Sequence, residues 1–374
     1  MRIPLSVPVL EGNERAYLNE CIDSGYVSSV GPFVTRFEEA FAERVGRRYA
    51  VACSSGTAAL HVALQVSGVR PHDIVAVSDL TFIASANAIA YCGATPLLVD
   101  SEAKSWNLHS QQLFDYVAES ARKGDPLPRA IEVVHLLGVP ADMEPIRALH
   151  QQFGIPIIED AAEALGATLP DGSQVGSVGE FGCFSFNGNK IITSGGGGMI
   201  VCDDERLAAQ ARHLTTQARL PGASYRHDEV GFNYRLTNLE AAVGLAQLER
   251  LDEFLSARRR VADRYRTRLS DDGRFSFPEP VPGSSSSGWL TSFRCESEDS
   301  RDLLLRSLDS MGIESRPIWL PMSKQAPYAS CPRIGGSVAA EIGSTAMSVP
   351  SSANLAHADQ DLTVDVILGA LDEG

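Results

Sequence analysis

Residues 181–201 read FGCFSFNGNKIITSGGGGMIV, and this stretch sets the terms for the rest of the chain. Phe181, Cys183, Phe184 and Phe186 form an apolar run that predicts a buried strand. The run breaks at Asn187-Gly188-Asn189, a turn of small polar residues, and delivers one lysine, Lys190. Four glycines, Gly195 to Gly198, then lead into a second short apolar run. A lone lysine between a buried strand and a glycine run is a candidate amine nucleophile. Such a lysine forms a Schiff base with a carbonyl when its surroundings depress its pKa. The same letters also describe a surface lysine on a hairpin with a flexible loop behind it. The flanking segments have to decide.

Outward from that stretch, strand-length apolar runs alternate with helical patterns. Tyr49–Cys53, Ile74–Val77, Thr95–Val99, Ile131–Leu137, Ile155–Ile158, Phe181–Phe186 and Met199–Cys202 read as strands. Phe33, Phe37, Ala40 and Phe41 recur at helical spacing, and helices are also predicted over 80–91 and 142–153. This alternation implies an α/β fold, a mostly parallel sheet covered on both faces. Ligands of such sheets bind outside the carboxyl ends of the strands. One long helix is expected from Leu239 to about Leu269, and FPEPVPGSSSSG (277–288) marks a composition break. Beyond it WLTSFRC, RDLLLRSLDSMG and SRPIW predict strand, helix and strand. The expected division is a large domain over 1–250 and a smaller α/β domain over 251–374.

The totals exclude several classes. A net charge of −15 argues against a nucleic-acid surface, so any phosphate must be held by local donors. No apolar run approaches membrane-spanning length, and MRIPLSVPVL is too short for a signal peptide. The seven cysteines show no CxxC spacing and the histidines no HExxH, so neither a disulfide framework nor a metal site is expected. A reduced, cytoplasmic protein is the expectation.

Two further strand ends carry chemistry. Ser54-Ser55-Gly56-Thr57 lies between a strand and a helix, where free N–H groups and hydroxyls suit an anion, or where a serine merely caps the helix. Glu159-Asp160 closes a buried strand, with Glu163 three residues on. These acids either cap a helical turn or face a ligand. A lysine, a strand-end aspartate and a phosphate cradle are together what pyridoxal phosphate needs. The lysine takes the aldehyde, and the aspartate keeps the ring nitrogen protonated so that the ring draws electrons. No GxGxxG follows the first strand, and neither a Walker lysine nor a GxSxG elbow is present.

At this point the chain resembles the DegT/DnrJ/EryC1/StrS family of sugar aminotransferases, which have the type I pyridoxal-phosphate (aspartate aminotransferase-like) fold. The likeness is carried by GPFVTRFEEAFAERVG, SSGTAALHVAL, LTFIASANAI, VVHLLGVPADMEPI, IIEDAAEALGA, FSFNGNKIITSGGGGM and HDEVGFNYRLTNLEAAVGLAQLERL. It implies that Lys190 is the Schiff-base lysine and the acid/base that moves the proton. Asp160 would face the pyridine nitrogen, Glu163 the phenolic oxygen, and Phe82 would stack on the ring. Gly56, Thr57 and Ser185 would hold the phosphate, joined by Asn233 of a neighbouring subunit, which makes the active unit a homodimer.

The FNGNKIITSGGGGM form, with the segments YVSSVG and SRPIW, is similar to that of the subgroup that aminates C4 of UDP-linked 4-keto-6-deoxy-N-acetylhexosamines, as in UDP-N-acetylbacillosamine and legionaminic acid synthesis. That likeness implies that Tyr26, Val27, Ser28, Ser29, Arg316, Pro317, Ile318 and Trp319 line the sugar-nucleotide site. A guanidinium at 316 can fork to a diphosphate. Trp319 is equally readable as core. Leu137 stands where the family usually has tyrosine. The expected reaction is amino transfer from L-glutamate to a UDP-linked keto sugar, with dTDP- or GDP-linked sugars as the alternative. A pyridoxal-phosphate-binding regulator is the non-enzyme alternative. Dehydratases of this fold carry histidine in place of the lysine, so Lys190 argues against that activity.

Overall fold

The computed structural model describes residues 2–222 and 224–372. Its strands are β1 (Tyr49–Cys53), β2 (Ile74–Ser78), β3 (Thr95–Val99), β4 (Ala130–Val134), β5 (Ile157–Asp160), β6 (Phe181–Ser185), β7 (Gly198–Cys202), β8 (Thr291–Arg294), β9 (Arg316–Pro317), β10 (Arg333–Ile334) and β11 (Ala346–Val349). The large sheet runs β1-β7-β6-β5-β4-β2-β3-β10. Only β7 is antiparallel to its neighbours in this sheet, so it is mostly parallel, as expected. β6 and β7 pair antiparallel from Gly182↔Val201 to Ser185↔Gly198. The Lys190 loop therefore starts at the carboxyl edge of β6, where ligands of such sheets sit.

Four helices lead into the sheet: α1 (Glu14–Ser24), α2 (Pro32–Val45), α3 (Gly56–Val66) and α4 (Ile83–Tyr91). On α2 the four-residue spacing of Phe33, Phe37 and Phe41 puts all three on one face, fully buried. Phe41 meets Phe184 edge-on at 4.9 Å between centroids, and Phe37 meets Phe186 at 5.1 Å. Burying each such ring contributes about 1.5–3 kcal/mol. The helix that packs behind β6 is thus fixed by the aromatic run before Lys190. Gly46 ends it in the left-handed conformation at φ 71°.

Some boundaries differ from the sequence reading. The helix expected from Leu80 begins only at Ile83, because Phe82 is its extended N-cap. β4 stops at Val134 and the chain turns tightly through Leu136–Gly138, with Leu137 at φ 56°. The long helix is two, Asn238–Leu248 and Leu251–Leu269. The break falls at Glu249-Arg250, where Asn13 and Tyr17 hold the Glu249 carboxylate. A helix at Ser110–Lys123, which the sequence reading left unassigned, packs against the helix Glu144–Phe153.

A three-stranded antiparallel sheet, β8-β11-β9, carries a second core. The helix Leu251–Leu269 changes allegiance along its length. Leu251, Phe254 and Leu255 pack into the large core, while Val261, Tyr265 and Leu269 pack into the small one. We propose that the two units meet within this helix. The pairing of β10 with β3 returns the chain briefly to the large sheet after residue 330.

Candidate active site

Strand order brings the separate sequence segments together. β5 and β6 are neighbours, with Asp160 paired to Cys183, and the Ser55-Gly56 turn abuts Gly197 of the glycine run. A cavity of about 250 Å³ opens there, lined by Gly56, Thr57, Phe82, Asp160, Glu163, Ser185, Lys190 and Trp319 together with Trp289. Eight of the expected site residues therefore converge on one space.

Lys190 Nζ lies 3.6 Å from Glu163 Oε1 and 4.0 Å from the centroid of the Trp289 ring. Glu163 is buried, which lifts its carboxyl to about 7; the Lys190 amine and the Leu137 N–H oppose that rise. The Leu137 N–H donates to Glu163 Oε2 at 2.7 Å. That bond explains the left-handed backbone at Leu137, an uncommon state for a branched side chain. The position uses its backbone, and the leucine side chain faces away from the lysine cavity, into a second hollow beside Arg259 and Ser285.

Asp160 closes β5 and is 6% exposed. Burial raises its pKa, against the Ser85 hydroxyl, which donates at 2.8 Å, and the Ala162 N–H. A buried carboxylate with so little neutralisation is what a protonated ring nitrogen satisfies. The neighbouring Glu159 points to the other face of the sheet. Burial acts against its ionisation, but a His135 hydrogen bond at 3.1 Å and N–H donors from Gly176, Val178 and Gly179 hold its pKa low. Glu159 is structural.

The end of the cavity beside α3 is built from backbone. Ser55 caps α3 by accepting from the Ala58 N–H, so both readings of this turn apply. The N–H groups of Gly56 and Thr57 precede the helical hydrogen-bond ladder, and both residues line the cavity. A Cβ on Gly56 would stand 2.8 Å from Ser185 Cβ, so glycine is needed for the approach. Of the glycine run, Gly198 packs against the Ser55 carbonyl and Gly197 is left-handed at φ 118°. That half of the run is packed backbone, not linker.

Other expected residues lie elsewhere in a single chain. Asn233 is exposed on the 216–238 loop. Tyr26, Val27 and Ser28 are exposed and Ser29 half-buried; the segment is pinned by Asn238, which donates to the Tyr26 and Ser28 carbonyls. Arg316 and Pro317 are exposed, and Arg316 pairs with Glu314 at 2.8 Å. Ile318 is buried in the large core. None of these lines the lysine cavity.

Sequence reasoning missed Ser85, Asn189 and Trp289. Trp289 lies parallel to Trp319 at 6.3 Å and donates its indole N–H to the Asn189 carbonyl at 2.7 Å. The Asn189 side-chain oxygen is buried at the cavity without a hydrogen-bond partner among the described residues. The only signal for Trp289 was a tryptophan beside a Pro/Gly/Ser break that otherwise reads as linker.

The geometry fits pyridoxal phosphate, with a lysine, an under-neutralised aspartate and a glycine-opened helix N-terminus around one cavity. Comparison with known proteins agrees. A GDP-perosamine synthase of Caulobacter vibrioides is 43% identical over 100% of this chain and 98% of its own length. Another, from Vibrio cholerae, is 41% identical over 85% of each chain. The crystal structure of a DegT DnrJ EryC1 StrS aminotransferase from Brucella abortus superposes with a TM-score of 0.89 at 32% identity, covering 96% of this chain and 95% of that one. The cofactor is pyridoxal phosphate and the protein is an enzyme. The family's model matches residues 8–368, and the chain belongs to the DegT/DnrJ/EryC1/StrS aminotransferase family.

Proposed function

We propose that this protein transfers an amino group from L-glutamate to a GDP-linked keto sugar. The observation that carries the nucleotide is the identity of 43% and 41% to relatives named GDP-perosamine synthase. This favours the GDP-linked alternative over the expected UDP-linked substrate. Of the segments YVSSVG and SRPIW, only Trp319 lines the lysine cavity of one chain, so most of that likeness carried no contact with the reacting atoms.

Bound pyridoxal phosphate supplies an electron sink for the carbon that loses its proton. Asp160 would hold the proton on the ring nitrogen, and Gly56, Thr57 and Ser185 would anchor the phosphate. The free Lys190 amine would carry the proton between carbons. Glu163, 3.6 Å away and poised near neutrality, exchanges a proton with that amine. Trp289, Trp319 and Phe82 wall the cavity and exclude water from the amine. Phe82, 50% exposed and edge-on to Trp319, stands at the mouth and can stack on a ring there.

A homodimer belongs to this reading. Asn233 is exposed and outside its own chain's cavity, and Tyr225 and Val230 on the same loop are each 83% exposed. Such a loop supports a role at a second copy's site. Tyr26–Ser29 and Arg316 would then meet the substrate's outer part only in the assembled pair. No described helix is long and apolar enough to cross a membrane.

The test is turnover of a panel of GDP-, UDP- and dTDP-linked keto sugars with glutamate, read as the mass of the amino sugar nucleotide. Conversion of the GDP sugar is expected. Conversion of a UDP sugar with the GDP sugar untouched would overturn the proposal.

A further inference from the structure

Glu132 lies at the middle of β4, is 0% exposed, and neither carboxyl oxygen has a hydrogen-bond partner among the described residues. Nothing in the fold calls for an acid there, since Ile131, Val133 and Val134 around it are apolar and equally buried. Register decides which way it points. Glu132 pairs with Ile158 and Val134 with Asp160, so by strand alternation Glu132 and Asp160 share one face of the sheet. Ser85, on the first turn of α4, packs onto that same face and is 1% exposed. Its hydroxyl donates to Asp160 Oδ2 at 2.8 Å and meets Thr81 Oγ1 at 2.9 Å.

We propose that Glu132 is a positioning residue that acts through the Ser85 hydroxyl to fix the hydrogen-bond direction at Asp160, the carboxylate that faces the cofactor's ring nitrogen. The argument is one of donor counting. Ser85 has one proton. If Glu132 is an un-ionised acid, its O–H can donate to the Ser85 oxygen, and the Ser85 proton is committed to Asp160. If Glu132 were a carboxylate, it would compete with Asp160 for that same proton. Burial, reinforced by the nearby Asp160 charge, holds Glu132 un-ionised, while Ser85 works against this. The other titratable groups facing Glu132 are Cys183 on β6 and Cys92 beyond α4, both kept as neutral thiols by burial. The Lys190 amine and His135 also favour the ionised form of Asp160. Glu132 can feed the Ser85–Asp160 bond from the sheet face, beside the Thr81 hydroxyl that also meets Ser85, and it is not among the residues lining the lysine cavity.

The inference rests on the cofactor assignment and not on the sugar, so its test needs no sugar and leaves the GDP reading untouched. The readouts are the dissociation constant of pyridoxal phosphate from the apoprotein, the pH midpoint of the visible band of the loaded protein, and the melting temperature of the apoprotein. Glu132→Gln keeps an N–H donor and should bind the cofactor within about twofold of the parent. Glu132→Leu, or Glu132→Met if the leucine variant does not fold, should weaken binding about tenfold and move the band's midpoint. Ser85→Ala should do the same, and adding Glu132→Leu to it should change nothing more. A leucine or methionine variant that shifts only the melting temperature would overturn the proposal. So would an effect that persists undiminished in the Ser85→Ala background.

Discussion

The Lys190 amine and the Glu163 carboxylate stand 3.6 Å apart in a cavity where both side chains are largely buried. Neither group could hold its charge there alone without loss of solvation. Their pairing leaves one mobile proton beside the carbon chemistry. Lys190→Ala should remove the visible band of the loaded protein and lower turnover by at least about 10³-fold. Its circular dichroism should stay as in the parent. Retention of the band in this variant would place the cofactor's covalent partner elsewhere.

Glu163 gives a pH signature in the apoprotein. Its carboxyl sits at about 7 in the fold, against 4.5 when exposed. Between those values the folded state binds more protons than the unfolded state, so stability falls as pH rises. The loss begins above about pH 4.5 and levels off above about pH 7. Glu163→Gln removes this dependence. It should match the parent near pH 4 and exceed it by about 3 kcal/mol at pH 8. Denaturant unfolding at the two pH values checks the sign, and parallel curves for parent and variant would contradict it.

Gly56 sets the depth of the phosphate end. Gly56→Ala places a methyl 2.8 Å from Ser185 Cβ, closer than carbon atoms approach, so the turn must shift away from the strand. Gly56 lies at the start of α3 with no left-handed requirement, so the cost is contact and not backbone strain. Pyridoxal phosphate should bind at least about tenfold more weakly to this variant, with melting of the apoprotein lowered by only a few degrees. Free phosphate, titrated as a competitor, should lose affinity in the same proportion.

Trp289 is the wall that the chain order hid. Trp289→Ala removes the ring over the Lys190 amine and the donor to the Asn189 carbonyl. It should destabilise by about 3–5 kcal/mol and admit water to the amine. Trp289→Phe keeps an aromatic ring and loses the N–H, so it should cost only about 1 kcal/mol and keep most of the activity. Equal losses in both variants would mean that the hydrogen bond, not the ring, is what matters.

These sites show what a reader of the chain could and could not see. Lys190, Asp160, Gly56 and Thr57 were legible as candidates because each lies at or just beyond a strand's carboxyl end or opens a helix, where chain pattern and ligand position coincide. Ser85, Glu132 and Trp289 were not. Ser85 sits inside an unremarkable helical pattern, and its role appears only when α4 is laid on β5. Glu132 reads as a lone acid in an apolar run until register puts it on the face of Asp160. The unbroken helix expected over 239–269 failed for a similar reason. Its break answers to Asn13 and Tyr17, more than two hundred residues earlier, which take the Glu249 carboxylate.

Arg258 joins the two units at the lysine loop. It is 2% exposed, and it donates to the carbonyls of Trp289 and Ser351 at 2.8 and 2.9 Å, to the Ser6 hydroxyl at 3.2 Å, and to the Lys190 carbonyl at 3.4 Å. Burial lowers its pKa to about 10, so it remains charged at neutral pH. One planar fork thus ties the backbone of Lys190 to that of the tryptophan that covers its amine, a geometry that lysine cannot copy. Arg258→Met fills similar space but leaves two buried carbonyls without donors, and should cost at least about 3 kcal/mol in denaturant unfolding. Because Lys190 and Trp289 lose a common anchor, cofactor affinity should fall with stability, by about tenfold. Arg258→Lys should recover part of the stability and less of the affinity, since an ammonium reaches fewer of the four acceptors at once. A methionine variant that is destabilised yet binds pyridoxal phosphate as the parent does would reduce Arg258 to a staple between units, with no part in holding the lysine.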